Sequence, residues 1–202
     1  MKKVWKIFVL APILMAFQCG EDEIESTLMF DVYKVNITPA AVFSANDTIW
    51  ISGKISSNVF DTAVNDSVFN FTPQIDDVAV YKLIQPTSVV NSKDGLDQFE
   101  IIIDRGNVSF LPSCENAQMQ IASELELNEI FYTYRVGLKP LSEGDYVISL
   151  RNGLLQNSNR NTEIIGNYPI QNHPNQIGFD TCGRVSWRFL NESDREFYFS
   201  VE

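Results

Sequence analysis

The 202-residue chain has one histidine, three cysteines and only 15 basic residues against 26 acidic ones. A single imidazole, His173, cannot build a zinc site that needs two or three of them. Nor does a serine hydrolase fit, because no Gly-x-Ser-x-Gly elbow is present and His173 stands between Asn172 and Pro174. Phosphate-cradling glycine loops and Cys-x-x-Cys pairs are also missing, so cofactor enzymes lose their usual anchors. Scarce Lys and Arg make nucleic acid a poor partner, since its binding depends on neutralising phosphates. The longest apolar run, residues 7–17, falls short of the roughly 20 residues that span a bilayer. These absences lead to the expectation of a non-enzymatic protein with no cofactor and no metal.

What is present begins at the N-terminus. Lys2, Lys3 and Lys6 precede the apolar run, which is followed by Cys19 and the acidic residues Glu21, Asp22 and Glu23. This segment resembles the signal of bacterial lipoproteins. Its box, Ala16-Phe17-Gln18 before the cysteine, is similar to the relaxed form found in Bacteroidota, where an acidic cluster after the cysteine directs export to the cell surface. The resemblance implies that residues 1–18 are removed, that Cys19 carries lipid, and that residues 19–26 form an acidic tether. It implies an outer-membrane protein exposed at the surface, the periplasmic face being the alternative. Once residues 1–18 are gone, 12 basic residues face 26 acidic ones, a formal charge of −14. Any membrane partner is then reached through the lipid rather than through a polybasic patch.

Two further expectations follow from the resemblance. Cys114 and Cys182 remain as a pair for a disulfide in an oxidising compartment, two separately buried thiols being the other option. Bacteroidota also attach O-glycans at Asp followed by Ser or Thr and a small or aliphatic residue, a pattern that Thr48, Thr62 and Ser67 satisfy.

After the tether, residues 27–202 have the size of one domain, and a chain that is 45% hydrophobic and 12% aromatic over its whole length has enough for a core. Short alternating segments rich in Val, Ile, Phe and Tyr are separated by Asn, Asp, Gly and Ser clusters, which reads as strands. They cover residues 28–35, 48–55, 78–84, 99–104, 118–127, 130–138, 146–151, 185–190 and 196–201. In the second of these, Ile49, Ile51, Gly53 and Ile55 share one face, with Trp50, Ser52 and Lys54 on the wetter one. Residues 115–128 alone carry a weak helical stripe, and a strand or a short helix is open there. The pattern predicts an all-β, antiparallel β-sandwich. Gly144-Asp145-Tyr146 before an alternating run resembles the tyrosine corner of immunoglobulin-like sandwiches, with a hydroxyl bonded back to the preceding turn.

Two long insertions interrupt the strands, residues 56–77 and 152–180. The second is rich in asparagine and holds Tyr168 and His173. Amides beside aromatics such as Tyr168, Trp187 or Trp50 would suit a carbohydrate, whereas polar turns satisfying their own backbone need no ligand. The carboxylate pairs Asp76 with Asp77 and Asp94 with Asp97 lack calcium-loop spacing and read as turns. The leading functional expectation is a lipid-anchored binding or structural module; a glycan-binding accessory protein or a glycosidase using loop carboxylates is the alternative.

Overall fold

A computed structural model describes residues 27–156, 162–173, 176–189 and 194–202. The signal segment, Cys19, the tether and several of the loop asparagines lie outside the described residues.

The chain enters through β1 (Leu28–Met29), β2 (Lys34–Ile37) and β3 (Val42–Phe43), then runs along β4 (Ile49–Ser56) into a hairpin of β5 (Asn58–Asp61) and β6 (Asp66–Phe69). Next come β7 (Ile75–Leu83), β8 (Ser92–Asp94), β9 (Phe99–Arg105), β10 (Asn107–Phe110), β11 (Gln118–Ala122) and β12 (Glu124–Leu125). The C-terminal part holds β13 (Phe131–Pro140), β14 (Gly144–Leu150), β15 (Leu154–Leu155), a one-turn helix α1 (Thr162–Ile165), β16 (Gln176–Thr181), β17 (Arg184–Phe189) and β18 (Glu196–Val201).

These strands form an all-β sandwich. One sheet has six strands centred on β13, β4 and β2; the other has nine, in which β7, β14 and β18 are central. Pairing is antiparallel except for three short parallel contacts, β15 with β2, β16 with β8 and β18 with β3. The main core fills the gap between the sheets, with Ile49, Ile51, Val136 and Leu138 from one side and Val78, Ile148, Phe197 and Phe199 from the other. In β4 the buried face is the odd-numbered one, as its alternation requires.

One side of the sandwich is closed by strands that change sheet. β9 pairs with β13, and its continuation β10 pairs with β11 in the opposite sheet. The corner falls at Gly106, whose φ of 92° and whose nearness to the Ala122 carbonyl leave no room for a Cβ. The return crossing divides residues 118–127 into β11 and β12, so that segment is neither one strand nor a helix.

Both insertions carry structure of their own. Residues 56–77 contain the β5–β6 hairpin, which with β1 makes a separate three-stranded sheet. Residues 152–180 contain β15, which joins the six-stranded sheet, β16, which joins the nine-stranded one, and α1, which lies over the outer face of the latter. There Ile164, Ile165, Ile177 and Phe179 build a second core on Ala79, Tyr81, Val147 and Tyr198. The central strands are therefore covered on both faces, which explains why every residue of β14 from Tyr146 to Leu150 is buried, Ser149 among them.

The tyrosine corner is present. Tyr146 is fully buried and donates to the Ser142 carbonyl at 3.0 Å, with the Ser142 hydroxyl at 2.7 Å. Its ring packs edge-on against Phe99 and stacks on Phe199.

Candidate functional site

The hairpin end. The strands define two ends of the molecule. At one, β4 finishes at Ser56 opposite Phe131, and the β5–β6 hairpin projects from there. The N-terminal segment meets the tip of this hairpin: the Thr27 amide donates to Thr62 Oγ1 at 3.2 Å, and that hydroxyl donates back to the Thr27 carbonyl. β1 then runs beside β5, pairing Met29 with Phe60. The chain thus enters the described structure at the hairpin tip. Ser57 ties the base of the hairpin to the β12–β13 turn, its hydroxyl donating to the carbonyls of Glu129 and Ile130 at 2.6 and 2.8 Å.

Among the described residues, several exposed large apolar side chains lie on β1, on the β5–β6 hairpin or at the β12–β13 turn that Ser57 ties to it. Met29 is 57% exposed, Phe71 85% and Leu127 105%, with Phe30, Phe60 and Ile130 beside them. Across β1, β5 and β6, pleat and register put Met29, Phe60, Ser67 and Phe69 on one face, and Phe69 packs edge-on against Phe71. The insertion expected over residues 56–77 is a hairpin with an apolar face of its own. Val59, Phe60, Val64, Val68, Phe69 and Phe71 within that span were the signal for a hairpin.

The three glycan motifs part company. Thr62 and Ser67 are exposed on the hairpin, the Thr62 hydroxyl engaged by the Thr27 backbone and the Asp66 carboxylate bonded to the Ser67 amide. Thr48 is half-buried at the other end, just before β4, after a turn in which Asp47 accepts from the Ser44 amide and hydroxyl.

The disulfide corner. Cys114 and Cys182 are bonded, with their Cα atoms 5.9 Å apart. The bond ties the β10–β11 loop to the tip of the β16–β17 hairpin. That tip is a two-residue turn in which Cys182 and Gly183 both have positive φ, the mirror-image turn that suits strand twist. Asp94 holds the turn by accepting the Cys182 amide at 3.0 Å. Burial, with some help from Asp180 and Asp97, raises its pKa although that hydrogen bond opposes the shift. Asp94 thus supports the turn beside the two bonded sulfurs.

The buried acid. Asp76 has no solvent exposure and accepts the Tyr134 hydroxyl from the opposite sheet at 2.5 Å. Burial pushes its pKa up; the Tyr134 hydrogen bond, the Tyr33 hydroxyl and the Gly153 amide favour the charged form and only partly offset it. Burial, and next the Asp76 charge, push the Tyr134 and Tyr33 phenols up in turn. Sealed between the sheets, this carboxyl cannot meet a substrate and acts as a polar pin across the core. Its neighbour Asp77 faces outward to Arg151 and Gln120.

The aromatic platform expected from Trp50, Tyr168 and Trp187 is not assembled. Trp50 lies on the outer face of the six-stranded sheet under the Arg135 guanidinium, which in turn pairs with Asp104 at 2.9 Å. Trp187 sits on β17, donates to the Val89 carbonyl and packs against His173. Tyr168 is directed to Asp145, to which it donates at 2.8 Å. The hollow beside Arg135, about 360 Å³, is open and lined by alternating charges, among them Lys54, Asp104, Arg105 and Glu126.

Compared with known proteins, the chain matches no family model, no curated protein and no solved structure. What fold and surface define is a disulfide-closed β-sandwich whose N-terminal segment and exposed apolar surface share one end.

Proposed function

We propose that the protein is a lipid-anchored, non-catalytic module of a bacterial envelope, held at the outer membrane through Cys19 and serving there as a binding or structural domain. The observation that carries this reading is the N-terminal order of charges: three lysines, an apolar run, Cys19, then Glu21, Asp22 and Glu23. The disulfide supports it, because such bonds persist in oxidising compartments. So does the charge of −14 beyond residue 18, which suits a solvated surface and leaves the lipid as the means of attachment. The scattering of Trp50, Tyr168 and Trp187 weighs for this reading over the carbohydrate alternative. Cys19→Ser in a bacterial host carrying the full chain tests it. The variant should move from the membrane pellet to the soluble fraction; a variant that pellets like the parent chain refutes the anchor.

A further inference from the structure

We infer that the hairpin end is a lipid-docking surface, and that the domain lies with Phe60, Phe71 and Leu127 against the membrane to which its N-terminus is tied. The inference rests on the anchor proposed above and adds the orientation of the domain and a second point of attachment.

Chain length carries the argument. Eight Cα steps separate Cys19 from Thr27, which at full extension cover about 29 Å. Thr27 is fixed to Thr62 at the hairpin tip, so the anchor's reach is measured from that end. β13 alone has ten residues and runs away from it, from Phe131 to Pro140. At roughly 3.4 Å per residue it spans about as much as the whole tether, so with the tether drawn short only the hairpin end can touch the bilayer. That end is also where exposed apolar side chains concentrate, and single scattered ones are what a surface needing no partner would show.

The tether itself is a poor cover for this surface. Gly20, Glu21, Asp22, Glu23, Ile24, Glu25 and Ser26 offer one large apolar side chain and four carboxylates. The same charges, with Asp61 and Asp66 at the tip, choose among lipids. They oppose an anionic surface and are compatible with a zwitterionic one, into which apolar side chains insert by about 5–10 Å. Docking adds a contact made by the protein surface to the one made by the lipid on Cys19. Ser67 stands on the same face as Met29 and Phe60, so a glycan there and a docked membrane exclude each other.

The test uses the full chain, acylated at Cys19, bound to vesicles of phosphatidylethanolamine and phosphatidylcholine. An environment-sensitive fluorophore is placed at Leu127→Cys, and in a second preparation at Leu141→Cys, exposed in the turn after β13 at the far end. Docking is expected to blue-shift the Leu127 label and to reduce its quenching by aqueous iodide severalfold, leaving the Leu141 label unchanged. Protein that floats with the vesicles while both labels stay equally quenched overturns the docking and leaves the anchor standing. Protein that does not float overturns both. A Leu127 label already shielded in the Cys19→Ser variant without lipid, in proportion to protein concentration, shows that a second copy covers this end and overturns the lipid assignment. So does an intact mass showing a glycan on Ser67.

Discussion

Reducing the Cys114–Cys182 bond should cost the fold about 4 kcal/mol. The two residues are 68 apart in sequence. In the chain-entropy description the crosslink then removes about 15 cal/mol/K from the unfolded chain, or about 4.4 kcal/mol at 25 °C. Comparing the oxidised and reduced forms of one sequence isolates this effect. The left-handed backbone at Cys182, φ 51°, and its hydrogen bond to Asp94 are common to both forms and cancel. Urea unfolding followed by tryptophan fluorescence, with and without dithiothreitol, reads the difference. With a slope of about 2–3 kcal/mol/M, the midpoint should fall by roughly 1.5–2 M on reduction. The slope itself should rise, because the uncrosslinked chain exposes more surface when unfolded. A midpoint that falls by less than about 0.3 M at unchanged slope would refute the reasoning, and would mean that the bond merely clips a hairpin to the edge of the sheet.

Three other outcomes follow from buried features. Tyr146→Phe removes the hydroxyl that closes the corner with Ser142 and is expected to cost about 1 kcal/mol in chemical denaturation; an unchanged midpoint would mean that water replaces it freely. In Gly53→Ala the new Cβ would lie 2.6 Å from Tyr134 Cζ, displacing the ring from Asp76, so a loss of about 1–3 kcal/mol is expected by the same assay. For Asp76 the folded-state pKa is raised, so between the unfolded and folded values the native state holds a proton that the unfolded chain releases. Its contribution to stability is present below the unfolded value of about 4 and is lost as pH rises toward the folded one. Asp76→Asn removes that dependence, so its stability measured against the parent should improve from pH 4 upward and then level off. A difference that stays flat across pH would show the carboxyl to be unperturbed.

Long regular strands were legible in the sequence, and short ones were not. The alternation Ile49, Ile51, Gly53, Ile55 identified both the strand and its buried face, because eight residues with one face on a core leave a period of two. Tyr146 was legible for a similar local reason, its turn and strand lying within nine residues. Two-residue strands such as β3 and β15 have no period to read and exist only through partners distant in the chain, while the expected strands over 28–35 and 118–127 are each broken in two. The double coverage of the central sheet was half visible, in the adjacent apolar residues Tyr146, Val147 and Ile148 of β14 and Phe197, Tyr198 and Phe199 of β18. What covered it, Ile164 and Ile165 in an asparagine-rich stretch, carried no such sign. The Asp76–Tyr134 contact joins residues 58 apart on different sheets, and nothing in the local sequence distinguishes that acid from its outward-facing neighbour Asp77. At the hairpin end the apolar residues were plain, yet their exposure depends on tertiary packing alone.

The place of β18 sets the order in which the domain can be completed. It lies between β14 and β3, and Phe197, Phe199 and Val201 enter the middle of the main core. Until residues 196–201 have been synthesised, the nine-stranded sheet has an open seam where they belong, and the aromatic stack on Tyr146 lacks its partner Phe199. Domains whose decisive pairings span most of the sequence close slowly and late. For the exported protein proposed above, lateness is useful: a chain unable to lock before its last strand arrives stays extended enough to be threaded across a membrane, and folds on the side where its disulfide can form.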